Sequence, residues 1–137
     1  MRNDPLPLVG DTPPYLLGRV LLALYFFLPG LSKIADFEGT AAYMAEHGVP
    51  FVVPLLAVTI FVQIGGAVAL AIGWQTRWLA LMFAGLVLVI NLFMHDFWNS
   101  YEGTDPGHEL QNFIKNLAIM AGLLVLAGSP GPGRRET

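Results

Sequence analysis

Cysteine is absent from the 137 residues. That excludes disulfides, thiol–quinone exchange, Fe–S clusters and thiolate metal sites. It leaves the compartment open, because a thiol-free chain suits either side of a membrane. Charge is scarce too: Asp, Glu, Lys and Arg make up 12% of the residues, with a net charge of -3, against roughly 25% charged in an average soluble domain. No run of Lys or Arg exists to neutralise phosphates, and the only paired cations are Arg134 and Arg135. Nucleic acid is therefore excluded as a partner. Walker, Rossmann, H-E-x-x-H and EF-hand patterns are missing, and no metal site is expected. The N-terminus, MRNDPLPLVGDTPP, lacks a basic n-region followed by a small-residue cleavage site. A cleaved signal peptide is not expected, and the first apolar segment should stay as a span.

What the chain has in abundance is apolar surface. Hydrophobic residues are 55% of the total, more than a single small domain can hide from water, so lipid must be part of its solvent. The pattern predicts an all-α integral membrane four-helix bundle with spans at about 15–34, 51–73, 77–96 and 110–128, each close to the ~30 Å hydrocarbon thickness. Residues 1–14 read as an N-terminal arm, 15–128 as one membrane domain and 129–137 as an exposed tail. Pro29 should kink or finish the first span. Between spans one and two, Phe37, Ala41 and Met44 fall at helical spacing within a segment too polar to cross, which predicts a short interfacial helix. The break Trp74-Gln75-Thr76-Arg77 is so short that spans two and three must be antiparallel neighbours. Arg2, Arg77, Arg134 and Arg135 share one side of this topology, while Asp36, Glu38, Glu46, Asp96, Glu102, Asp105 and Glu109 share the other. The positive-inside rule then puts both termini in the cytoplasm, with Trp74, Trp78 and Trp98 at the interfaces.

Candidate chemistry is confined to a few polar groups. Arg19 lies only about four residues inside the first span and either faces the bundle interior or snorkels to the headgroups. Lys33 lies fourteen residues on, within about 40° of Arg19 around the helix and about 21 Å away along it. Asn91 and His95 are spaced i, i+4, as are Gln111 with Lys115 and Asn112 with Asn116. Gln63 and Asn91 suit interhelical hydrogen bonds. Lys33, Asp36, His95, Asp96, Glu109 and Lys115 gather at the extracytoplasmic mouth, where His95 and Asp96 are the candidate catalytic pair; His95 suits a proton donor, a ligand to a quinone carbonyl or a hydrogen-bonded interfacial residue. Arg19, Lys33, Asn91, Lys115 and Asn116 are the candidate quinone-binding groups, the cations either holding negative charge on a reduced head group or snorkelling to the headgroups. A bis-His haem is disfavoured, since His47 and His108 fall in expected loops.

These stretches, taken together, resemble the DoxX family of small four-span bacterial membrane proteins. The resemblance runs from Gly18 to Lys33 (GRVLLALYFFLPGLSK), through AAYMAEHGVP (Ala41 to Pro50) and Gly65, Gly66 and Gly73. It continues at HDFW (His95 to Trp98), NFIKNLAIMAGLL (Asn112 to Leu124) and Gly131-Pro132-Gly133. The resemblance implies a multi-pass protein of the bacterial inner membrane, linked to thiosulfate:quinone oxidoreduction and to oxidoreductase complexes in oxidative-stress defence. An accessory subunit of a quinone-linked redox system is then the first expectation. Its cofactor is quinone with nothing bound covalently, and its partners are the lipid bilayer and proteins of a membrane complex or further copies of itself. A non-catalytic subunit that anchors a larger assembly is the alternative, and a transporter or lipid-binding protein the third.

Overall fold

The computed structural model describes residues 12–130. Among them are five α-helices and no strands: α1 Pro13–Ala35, α2 Phe37–Glu46, α3 Val52–Ile72, α4 Thr76–Met94 and α5 Pro106–Gly128. Helices α1, α3, α4 and α5 are long and apolar enough to cross a bilayer. Most of the expected arm and tail, and the cations Arg2, Arg134 and Arg135, lie outside the described residues; Pro13 and Pro14, expected in the arm, belong to α1.

The helix ends follow local chemistry. Pro13 and Pro14 open α1, where a missing N–H costs nothing. The helix does not stop at Pro29 but runs on to Ala35; helix-breaking residues are tolerated in spans because the freed backbone groups find other partners there. Asp36 then caps α2, its Oδ1 accepting from the Gly39 N–H at 3.1 Å. Helix α5 starts four residues before the expected Leu110, because Asp105 accepts from the Gly107 N–H at 3.0 Å and Pro106 takes the first helical position. His108 is consequently helical rather than in a loop.

Helix α1 packs along α3 and α4 along α5, whereas α3 and α4 touch lightly. Their shared turn is tight. Gly73 ends α3 at φ 83, and the Trp74 N–H donates to the Ala69 carbonyl at 2.9 Å in a Schellman-type closure. Just inside that turn the two helices meet closely, since a Cβ on Gly66 would lie 2.8 Å from the Phe83 ring. The core continues through Phe26, stacked on Phe83 with ring centroids 4.0 Å apart, and closes with Leu70, Val87 and Leu123. The outer faces are apolar too. Phe61 is 78% exposed and Val125 71%, an arrangement stable only where lipid replaces water. Trp74 and Trp78 are exposed at the turn end and Trp98 at the other, as interfacial belts require.

Candidate functional site

Away from the Gly73 turn, α3 and α4 part around a cavity of about 650 Å³. Pro29, Ser32 and Lys33 of α1 supply one wall, Leu55, Leu56 and Thr59 of α3 a second, and Leu86, Val89, Ile90 and Phe93 of α4 a third. Helix α2 roofs it with Thr40, Tyr43 and Met44. The expected interfacial helix therefore has a specific place, over the mouth of the bundle. Leu55, Val89 and Phe93 line the cavity and are also exposed, so it opens sideways between α3 and α4 at membrane depth.

Polar groups gather at the rim. Lys33 sits half-buried in the last turn of α1, and neither of the two ion pairs among the described residues involves it. His95 caps the end of α4 and lines the cavity. Its Nδ1 lies 2.7 Å from the Glu109 carboxylate of α5. A proton on Nδ1 fixes the ring and leaves Nε2 for a ligand, as an acceptor when neutral and a donor when protonated. Tyr43 donates its hydroxyl to the Met94 carbonyl at 3.2 Å, tying the roof to α4. Burial, then the negative charges of Glu109, Asp96 and Glu46, push its phenol up to about 12, so it stays a donor at neutral pH.

The remaining candidates lie elsewhere. Asp96 is buried beside the cavity rather than in it. Its Oδ2 accepts from Asn99 Nδ2 at 2.8 Å and from the Tyr101 hydroxyl at 2.5 Å. Burial alone would raise this carboxyl, but those two donors with His47 outweigh it and hold it below the ordinary value. The Tyr101 phenol is raised in turn, first by that hydrogen bond. Asn91 and Asn116 are spent on each other: Asn116 Nδ2 donates to Asn91 Oδ1 at 2.9 Å, and Asn91 Nδ2 to the Phe113 carbonyl at 3.0 Å. The Tyr25 hydroxyl completes this seam, donating to Asn116 Oδ1 at 2.5 Å. The expected common face of Asn91 and His95 does not exist, because α4 ends at Met94 and His95 leaves helical geometry at φ -121, ψ 42. Lys115 is exposed and lines no part of the cavity.

Arg19 is at the opposite end of the bundle. It is buried rather than snorkelling, with Nη2 donating to the Ala71 carbonyl at 3.3 Å and the guanidinium 5.7 Å from the Tyr15 ring centroid. A cation against the last carbonyls of α3 offsets the negative end of that helix.

Sequence reasoning counted Glu109 among the groups of the mouth but in a polar turn, took His47 for a loop histidine, and overlooked Tyr43. Tyr43 and His47 are i, i+4 on α2 and face inward with Met44; that amphipathic pattern was the available signal. Glu109 follows the Asp105-Pro106 cap by one turn, which places it on α5 rather than in a loop.

The DoxX family model matches residues 15–96. Inner membrane protein YqjF of Escherichia coli (strain K12) is 38% identical over 119 residues, covering 86% of this chain and 84% of that protein. Inner membrane protein YphA of the same organism is 33% identical over 120 residues, covering 86% and 83%. No solved structure matches the chain significantly. Four membrane-length helices and relatives named for the inner membrane make this a multi-pass inner-membrane protein. By model and relatives alike, the chain belongs to the DoxX family.

Proposed function

We propose that the α3–α4 cavity binds the head group of a membrane quinone, and that the chain serves as the quinone-binding accessory subunit of a membrane oxidoreductase. One observation carries this reading. An apolar chamber open to the lipid has, at its polar rim, a Lys33 with no ion-pair partner among the described residues and the carboxylate-backed His95. Those groups suit an apolar ring with carbonyl oxygens. His95 Nε2 would hold one oxygen and deliver a proton to it, with Glu109 stabilising the imidazolium before transfer. Lys33 would favour negative charge at a second oxygen, in a site dry enough for that attraction to count. A quinone, when bound, supplies two-electron, two-proton chemistry; the electrons come from the partner oxidoreductase.

The same proposal sets both termini in the cytoplasm. Arg77 lies at the Gly73 end of the bundle, and the acids Asp36, Glu46, Asp96 and Glu109 at the cavity end.

Titration of the purified chain in nanodiscs with decylubiquinone, followed through its tryptophan fluorescence, tests the reading. Saturable quenching is expected, weakened about tenfold or more by His95→Ala, as befits loss of one charge-assisted hydrogen bond. Quenching that never saturates, or that His95→Ala leaves unchanged, would overturn it. Extraction in mild detergent should recover a stoichiometric redox partner. Recovery without quinone binding would instead mark the chain as a structural anchor.

A further inference from the structure

The quinone reading does not use the most buried titratable side chain among the described residues. His47 ends helix α2, and its side chain has no solvent exposure. Its Nδ1 lies 2.8 Å from the Tyr43 carbonyl, a contact that requires the proton on that nitrogen. Nε2 then faces Asp96 Oδ1 at 3.7 Å with no hydrogen-bond partner. In a neutral ring that lone pair would point at a carboxylate, buried and unsatisfied, an arrangement that costs free energy on both atoms. A second proton turns the same contact into an attraction. The ring also lies between two phenols, with centroids 4.1 Å from Tyr43 and 4.2 Å from Tyr101, a cage that favours a cation.

We infer that His47 and Asp96 are positioning residues, a buried imidazolium–carboxylate latch that holds roof helix α2 over the cavity and releases it as His47 loses its proton. The latch spans two elements that no backbone hydrogen bond joins. Asp96 belongs to the connection after α4 and is itself fixed by Asn99 and Tyr101. His47 belongs to α2, whose Thr40, Tyr43 and Met44 form the roof. The sign follows from the pair. The latch is present where His47 is protonated and Asp96 ionised. It weakens as pH rises through the titration of the ring, and again in acid, once pH falls below the depressed range of Asp96. The other titratable groups facing the pair are Tyr43 and Glu46 from α2, Tyr101 from the α4–α5 connection and Glu109 from α5, the last tied to His95. Both tyrosines are held as neutral phenols. That the roof controls access to a quinone rests on the proposed function; the latch itself does not.

Because the chain has no cysteine, Ala42→Cys, on the exposed side of α2, accepts a single nitroxide. The full chain, labelled once and then titrated in nanodiscs without quinone, should show a mobile spectral component growing as pH rises from about 5 to about 9. The mobile-to-immobile ratio should change by up to about tenfold per pH unit, the limit for one linked proton. Asp96→Asn, which keeps the shape, and His47→Gln should each abolish the pH response. A spectrum that does not change with pH would overturn the latch. So would a response that survives both substitutions, which would belong to His95 and Glu109 instead. A pH-dependent label in a protein that fails the decylubiquinone titration would remove the ligand and leave the latch standing.

Discussion

A cation four residues inside a membrane span is usually discussed as a choice between snorkelling and binding a ligand. Arg19 does not snorkel: it is buried against its own protein. Its guanidinium lies against the end of α3, bonded to the Ala71 carbonyl, in space that only a glycine at position 73 leaves open. A Cβ on Gly73 would approach Arg19 Nη1 to 2.9 Å, and the backbone there is held at φ 83. Two independent costs therefore fall on Gly73→Ala. One is the left-handed conformation, worth about 1–2 kcal/mol for a residue with a Cβ; the other is displacement of Arg19. Arg19→Leu should itself destabilise by about 1–2 kcal/mol through the unpaired carbonyl and the uncompensated helix end. If the two residues act as one cap, the double variant loses less than the sum, because removing the guanidinium removes the clash. Equilibrium unfolding in mixed micelles gives all three values. Arg77→Leu, exposed at the same end, should leave stability within about 0.5 kcal/mol, the usual range for surface substitutions.

Between elements, the sequence spoke clearly about which helices exist and poorly about which polar groups meet. Four spans were legible because each apolar run is long and each break is marked by Gly, Pro or charge. Helix α2 was legible from the spacing of Phe37, Ala41 and Met44. The partners were not, since periodicity orders residues within a helix and contains nothing about rotation between helices. Asn91 looked like a companion of His95, four residues away, yet its amide faces α5 and meets Asn116. His47, apparently a loop residue, is buried because α2 turns its last inward position onto the α4–α5 connection. The seam Tyr25–Asn116–Asn91 joins α1, α5 and α4. In lipid such interhelical bonds average about 0.6 kcal/mol and reach about 1.7. Tyr25→Phe should accordingly cost about 0.6 kcal/mol in the same unfolding measurement. Asn91→Leu should cost more, because it strands the Asn116 donor. The paired change Asn91→Leu with Asn116→Leu should cost less than Asn91→Leu alone. An additive result would show that the two amides do not depend on each other.

For the whole molecule, the light contact between α3 and α4 is the feature on which the proposed function turns. Two well-packed pairs, α1 with α3 and α4 with α5, meet closely near Gly66 and Phe83 and separate toward α2. A bundle packed uniformly would bury Leu55, Val89 and Phe93; here they line an opening instead. If that opening is the binding site, filling it should remove binding while the fold stands. Gly85 allows the test, since it lines the cavity and a Cβ there would meet no atom within 4 Å. Gly85→Phe starts a ring from a Cβ that meets no atom, and replacing a helix-interior glycine lowers the backbone entropy lost on folding. Thermal stability should thus be unchanged or higher, and the saturable part of the decylubiquinone quenching should disappear. Gly65 is the matched control, equally free of neighbours and outside the cavity lining; Gly65→Phe should bind as the unaltered protein does. Equal loss in both variants would point to a change in the lipid-facing surface rather than the chamber. Retained binding in Gly85→Phe would move the quinone out of the α3–α4 opening altogether.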